Sequence, residues 1–172
     1  MMRKILFVFG TRPEAIKLAP LISEFKKNSS KFTTRVCTTG QHKEMLKQTL
    51  NVFNLKPDIE LGVMKFGQNL SVLTSEVIVK VNDVLEIERP DVVVVHGDTT
   101  STLSAAMACF YAQVPVAHIE AGLRSYDRDM PEEINRIITD EISDVYFTTE
   151  SSGTNNLLKE GRKKENVFFV GN

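Results

Sequence analysis

The chain has 172 residues, of which 42% are hydrophobic and 25% charged, enough for one domain with a buried core. Its formal net charge of -1 gives no indication of nucleic acid or an anionic membrane as a partner. No apolar run approaches the roughly 20 residues of a membrane span, and the one at the start is shorter than the roughly 7–15 residues of an export signal. We therefore expect a cytoplasmic protein in which Cys37 and Cys109 are reduced core residues.

Strands and helices are predicted to alternate along the whole chain. Apolar patterns predict seven strands, at residues 4–9, 33–38, 58–61, 92–95, 114–119, 145–148 and 167–170. Helices are predicted between them, at 13–27, 42–53, 70–88, 101–112, 132–142 and 151–160, with loops at 62–68 and 126–130. The four valines of 92–95 are typical of a strand buried on both faces. This order predicts an α/β fold, a doubly wound, Rossmann-like parallel sheet.

The first of four polar segments follows the first strand, at the sheet edge where such folds bind ligands. It places Arg12 at the start of a helix, a natural site for an anion, and Lys17 about one turn further along. The segment lacks the Gly-x-Gly-x-x-Gly pattern of dinucleotide-binding proteins. A capped helix start with a solvated arginine and lysine is the structural alternative.

The second and third polar segments follow the strands predicted at 92–95 and 114–119. Asp98 ends the second segment, where it either does chemistry or caps the following helix. Glu120 belongs to the third, either as a catalytic carboxylate or as the partner of Arg124 in a structural ion pair. We interpret His118 as a core histidine with satisfied hydrogen bonds rather than as a catalyst.

The fourth polar segment opens the helix predicted at 132–142. Glu132 and Arg136 are four residues apart and share one helix face, so a surface ion pair would explain them in isolation. Their helix, however, opens from the same sheet edge as the other three segments. We therefore include both residues in the predicted site.

Together the four segments bring three carboxylates and three cations to one crevice: Asp98, Glu120, Glu132, Arg12, Lys17 and Arg136. Neighbouring carboxylates have pKa values that are pushed apart, so one can act as a base while another acts as an acid. The cations suit a phosphorylated substrate or leaving group. Neither metal-ligand spacing nor a Gly-x-Ser-x-Gly motif occurs, so we expect a site without a metal and without a cofactor.

Five motifs follow one another along the chain: Phe9-Gly-Thr-Arg-Pro-Glu-Ala-Ile-Lys17, Gly40-Gln-His42, His96-Gly-Asp-Thr-Thr100, His118-Ile-Glu-Ala-Gly-Leu-Arg124 and Pro131-Glu-Glu-Ile-Asn-Arg136. This set resembles that of the non-hydrolysing UDP-N-acetylglucosamine 2-epimerases, over essentially the whole chain. The resemblance implies a GT-B architecture, in which two Rossmann-like domains enclose the active site. It also implies that residues 1–172 form the N-terminal domain, that a UDP-binding C-terminal domain is missing, and that the full-length protein is a homodimer.

The resemblance also implies a reaction, the interconversion of UDP-N-acetylglucosamine and UDP-N-acetylmannosamine for surface polysaccharides. A base removes the proton on carbon 2, UDP leaves to give 2-acetamidoglucal, and UDP adds back with protonation of the other face. By match to the family motifs, the acid and base candidates are Asp98, Glu120 and Glu132. The corresponding substrate-binding residues are Arg12, Lys17, Arg136, Gln41 and His42.

Other functions stay open at this point. One is an epimerase of a related 2-acetamido UDP-sugar, and another is a hydrolysing 2-epimerase, which releases free N-acetylmannosamine and UDP. A GT-B glycosyltransferase would have fewer clustered carboxylates. A flavodoxin-like receiver would need an acidic pair after the first strand, where Gly10-Thr-Arg-Pro13 stands instead.

Overall fold

The computed structural model of the chain describes residues 2–40, 43–63 and 67–172. The described strands are β1 (Arg3–Phe9), β2 (Phe32–Thr38), β3 (Ile59–Glu60), β4 (Val92–His96), β5 (Val116–Ile119), β6 (Val145–Thr148) and β7 (Val167–Phe169). The described helices are α1 (Arg12–Lys27), α2 (Lys43–Val52), α3 (Leu70–Glu88), α4 (Thr100–Tyr111), α5 (Pro131–Ile142) and α6 (Ser151–Lys159), with a short 3-10 turn at Lys164–Asn166.

The strands form one parallel sheet in the order β3-β2-β1-β4-β5-β6-β7. The sheet starts in its interior at β1, grows to one side through β2 and β3, and then to the other side from β4 onward. The chain therefore leaves β1 and β4, which are neighbours, towards opposite sides of the sheet. A crevice between such loops is where open α/β sheets bind their ligands.

Each strand and helix predicted from the sequence is present in the described residues, and the α/β fold with a parallel sheet is confirmed. Helix α3 and strand β6 begin and end where the sequence predicts them. Strand β5 is predicted from residue 114 but begins at Val116, because Pro115 has no N–H group for a strand ladder. The helix predicted from residue 42 is described only from Lys43.

The sheet separates two hydrophobic cores, and the side chains of β1 alternate between them. Leu6 and Val8 pack with residues of α3 and α4 on one face. Phe7 and Phe9 pack with residues of α1 and α2 on the other face. Burial on both faces explains why the central strands are continuous apolar runs. In the described part of the chain, no helix has the length and apolarity needed to cross a membrane.

The two cysteines lie in the core on one side of the sheet, as their apolar surroundings predict. Cys37 in β2 and Cys109 in α4 are both buried and unpaired. Burial raises the pKa of each thiol to about 12, so neither is a reactive thiolate at neutral pH.

Two glycines allow α6 to touch the loop that follows β5. Gly122 has a φ of +80°, and a Cβ there would lie 2.3 Å from the carbonyl oxygen of Gly153. A Cβ on Gly153 would lie 2.9 Å from the carbonyl oxygen of Ala121. Only residues without a side chain permit this approach of two backbones. The contact fixes the loop that carries Glu120.

We expect Gly122→Ala to destabilise the fold far more than Gly161→Ala. Both glycines have a left-handed φ, which costs an alanine about 1–2 kcal/mol. A Cβ on Gly161 meets nothing within 4 Å, whereas one on Gly122 meets backbone atoms, which adds about 1–3 kcal/mol of overpacking. Urea unfolding of both variants measures the difference. Equal losses would contradict the close contact.

Candidate active site

The predicted polar segments meet at the carboxyl edge of the sheet. Lys17 of α1 reaches the loop after β5, where its Nζ lies 2.6 Å from Oε1 of Glu120. Arg136 of α5 reaches the loop after β4, where its Nη1 lies 3.3 Å from Oδ2 of Asp98. Two ion pairs therefore link four of the predicted residues, which belong to two helices and to the loops after two strands.

A buried carboxylate, Glu14, ties the loops after β1 and β4 to each other. Its Oε2 accepts the backbone N–H groups of Gly10 and Thr11, at 2.9 and 2.6 Å. Its Oε1 accepts the hydroxyls of Thr99 and Thr102, both at 2.9 Å. Glu14 is 2% exposed and is not among the site residues predicted from the sequence. The capping-box spacing from Thr11 to Glu14 is the signal that could have revealed it.

We expect Glu14→Gln to lower the free energy of unfolding by about 1.5–3 kcal/mol, the scale of a lost charged hydrogen bond. All four partners of Glu14 donate hydrogen bonds, two to each carboxylate oxygen. In either orientation, the amide nitrogen of the glutamine would therefore face donors and could not accept from them. Glu24→Gln is the matched control, since Glu24 is exposed on the same helix. Chemical denaturation measures both variants. An equal effect of the two substitutions would show that Glu14 does not join the loops.

The interpretation of Asp98 as a helix cap is wrong. Helix α4 is capped by Thr99, whose hydroxyl accepts the backbone N–H of Thr102 at 3.1 Å. The Asp98 carboxylate, which takes no part in this cap, lies beside Arg136.

The Asp98 carboxyl is partly buried, and burial raises its pKa. The guanidinium of Arg136 opposes that change, but the negative charges of Glu120 and Glu132 add to it. The net result is a raised pKa. A carboxyl with a raised pKa holds a proton more readily, which suits acid and base work.

We expect Asp98→Asn to stabilise the chain at neutral pH. Because the pKa of Asp98 is higher in the folded chain, the folded state binds more protons, and the free energy of unfolding falls as the pH rises through that pKa. The substitution removes this loss, so its gain should shrink as the pH is lowered. Urea unfolding at several pH values measures it, with Asp129→Asn, at an exposed position, as the control. A less stable Asp98→Asn chain at neutral pH would contradict the direction of the pKa change.

Glu120 stands directly after β5 with a φ of +67°, an uncommon backbone conformation for a residue with a side chain. One oxygen pairs with Lys17, and the other lies 3.6 Å from Nε2 of His96. Its side chain is 22% exposed, so it remains accessible. His96 is buried, and burial lowers its pKa although Glu120 lies nearby. Among the described residues, Nδ1 of His96 has no hydrogen-bond partner.

The ion pair between Glu120 and Arg124, which is the structural alternative for Glu120, does not form. Arg124 instead turns away from the crevice and pairs with Asp140 at 2.7 Å and with Glu160 at 2.6 Å. Asp140 also bonds to His118, at 2.7 Å. His118 is fully buried, as expected of a core histidine. The spacing of Glu120 and Arg124 does not show that their side chains point to different sides.

The surface ion pair between Glu132 and Arg136, which is the structural alternative for these two residues, is also absent. Arg136 pairs with the neighbouring Glu133 at 3.1 Å and with Asp98. Glu133 is buried, and burial alone would raise its pKa. The backbone N–H groups of residues 125–126 and the charge of Arg136 outweigh burial, so the pKa of Glu133 is lowered. Glu132 is exposed, and its charge acts on Asp98. Glu132 is thus the acidic residue at the start of α5 that can meet a ligand.

The remaining predicted site residues are Arg12, Gln41 and His42. Arg12 is the first residue of α1 and is exposed at the helix N-terminus, where an anion would be favoured. Gln41 and His42 lie outside the described residues. Within the described ranges, no group of three or more His, Cys, Asp or Glu side chains could hold a metal ion.

A family model described as UDP-N-acetylglucosamine 2-epimerase matches residues 24–172. The chain is 45% identical to a UDP-N-acetylglucosamine 2-epimerase of Campylobacter jejuni, over 100% of this chain and 45% of that protein. The chain therefore spans about half the length of the curated relatives it matches.

Two crystal structures have the same fold over this chain. The UDP-GlcNAc 2-epimerase from Neisseria meningitidis bound to UDP-GlcNAc is 48% identical, with a TM-score of 0.95 over 98% of this chain and 46% of that one. The enzyme from Methanocaldococcus jannaschii in complex with UDP-GlcNAc and UDP is 40% identical, with a TM-score of 0.93 over 98% and 46%.

Proposed function

This chain belongs to the UDP-N-acetylglucosamine 2-epimerase family, and we propose that it supplies the acid and base groups for interconverting UDP-N-acetylglucosamine and UDP-N-acetylmannosamine. The observation that supports this proposal is the arrangement of acidic side chains at the carboxyl edge of the sheet. Asp98 and Glu120 each sit beside a cation, and Glu132 lies close enough to act on the pKa of Asp98.

The proposed reaction begins at carbon 2 of the sugar. A carboxylate takes the proton, the C–H electrons form the double bond of 2-acetamidoglucal, and the bond from carbon 1 to UDP breaks. UDP then adds back to carbon 1 while a carboxyl protonates carbon 2 from the other face. Proton transfer on two faces needs more than one acidic group, and Asp98, Glu120 and Glu132 are the candidates.

The cations of the crevice have the complementary role. Departure of UDP concentrates negative charge on its diphosphate, which fixed positive groups stabilise. Arg12 at the N-terminus of α1, Lys17 and Arg136 are the proposed groups. Gln41 and His42 are proposed to bind substrate as well.

We further propose that a second, UDP-binding Rossmann-like domain completes the crevice, in a GT-B arrangement, with residues 1–172 as the N-terminal domain. The length of the curated relatives, about twice that of this chain, supports this proposal. The complete protein is proposed to be a cytoplasmic homodimer that supplies surface polysaccharide synthesis.

The product formed from UDP-N-acetylglucosamine tests this function. We expect a fusion of this chain to the second half of the Neisseria meningitidis relative to form UDP-N-acetylmannosamine, and the chain alone to turn over poorly because half of the crevice is missing. Proton NMR of the reaction mixture identifies the product. Free N-acetylmannosamine with UDP would indicate a hydrolysing enzyme. A folded fusion that forms neither product, in an assay where the intact relative is active, would contradict the proposal.

The individual carboxylates can be tested in the same fusion. We expect Asp98→Asn, Glu120→Gln and Glu132→Gln each to lower kcat by about 10²–10⁴-fold, the usual contribution of a positioned acid or base. Asp129→Asn, an exposed carboxylate just before α5, is the control and should turn over normally. A carboxylate whose amide variant keeps the control's kcat has no acid or base role.

A further inference from the structure

Three successive backbone carbonyl groups at the end of β4 are each held by a side chain from a different element. The carbonyl of His96 lies 2.7 Å from the hydroxyl of Thr102 from α4, and it shares that hydroxyl's one proton with Glu14. The carbonyl of Asp98 accepts the amide of Asn135 from α5, at 2.9 Å. The Gly97 carbonyl, between them, lies 2.7 Å from Nε2 of a β5 side chain, His118. The backbone on either side of the Asp98 carboxylate is therefore held in place.

Both ring nitrogens of His118 face groups that can only accept hydrogen bonds. Nε2 faces the carbonyl oxygen of Gly97, and Nδ1 lies 2.7 Å from Oδ1 of Asp140. Asp140 cannot donate in return while it is ionised, and its other oxygen accepts the N–H of Gly122 and pairs with Arg124. A neutral imidazole has one N–H and could satisfy only one of the two partners.

The neighbours of Asp140 favour its ionised form. Burial alone would raise the pKa of Asp140, but the bond from His118 and the charge of Arg124 outweigh it, and the pKa is lowered. Asp140 is thus a buried carboxylate paired with Arg124, and Glu160 extends this chain of charges to the surface. The other titratable groups near the ring are His96 of β4 and Tyr146 of β6.

We propose that His118, which donates from Nε2 to the Gly97 carbonyl, is a positioning residue that thereby fixes the Asp98 carboxylate beside Arg136. The proposal rests on the proposed function only in its consequence, since Asp98 is there an acid or base. Gly97 has a φ of +70°, so the turn it forms is one that a loosened chain would readily leave. Without the His118 bond, the Asp98 side chain would no longer have one direction into the crevice.

The first test is the protonation of His118 in the chain without substrate. Long-range proton–nitrogen NMR shows which ring nitrogens carry a proton, and substitution of each of the other two histidines assigns the His118 signals. We expect Nε2 of His118 to carry a proton, because the Gly97 carbonyl can only accept a hydrogen bond. A ring protonated only at Nδ1 would overturn the proposal, because the bond to Gly97 would then have no donor.

The second test is the titration of Asp98 in His118→Gln, followed by carbon NMR of its carboxyl group. We expect the midpoint to rise by about half a pH unit or more, because the loosened turn carries the carboxylate away from Arg136. Tyr146→Phe is the matched control: Tyr146 lies opposite His118 on β6, and its hydroxyl bonds to the Ser143 carbonyl rather than to the turn.

The comparison of the two variants decides the role of His118. A shift of Asp98 in His118→Gln but not in Tyr146→Phe would support positioning, since a general loosening of the sheet would affect both. Equal titrations in the two variants would overturn it. Both tests use the chain without turnover, so a failure of the proposed epimerase activity would leave their outcome unchanged.

Discussion

The buried carboxylate of Glu14 is the constraint on which the crevice depends. A carboxylate that has lost its water must find other donors, and Glu14 finds two backbone N–H groups after β1 and two hydroxyls after β4. These loops carry Arg12 and Asp98. Because one side chain bonds to both loops, they cannot separate without leaving a buried charge unsatisfied.

The same principle organises the other half of the crevice. Glu133 binds the loop after β5 and Arg136, and Asp140 binds His118, Arg124 and the Gly122 backbone. The structural carboxylates are buried and saturated with donors. Glu120 and Glu132 keep accessible surface, and Asp98 is partly buried and partly open to the crevice. Charged groups that hold the site are thus physically distinct from those that can meet a substrate.

The sheet was predictable from the sequence because its signals are local. Apolar runs predict strands that are buried on both faces, and the apolar periodicity of α3 predicts both of its ends. The partners of charged residues were not predictable, because they depend on side-chain direction in three dimensions. Arg136 pairs with Glu133 rather than with Glu132. Arg124 pairs with Asp140 and Glu160 rather than with Glu120. Sequence spacing predicts which residues share an edge, not which of them touch.

In the proposed function, carboxylates of this chain break and remake the C–H bond at carbon 2 of the sugar. The most direct measurement is proton NMR in heavy water, with UDP-N-acetylglucosamine and the fusion to the second half of the Neisseria meningitidis relative. We predict that the manno product carries solvent deuterium at carbon 2. Product that forms with its original proton at carbon 2 would contradict the claim, because that proton would never have reached a carboxylate that exchanges with solvent.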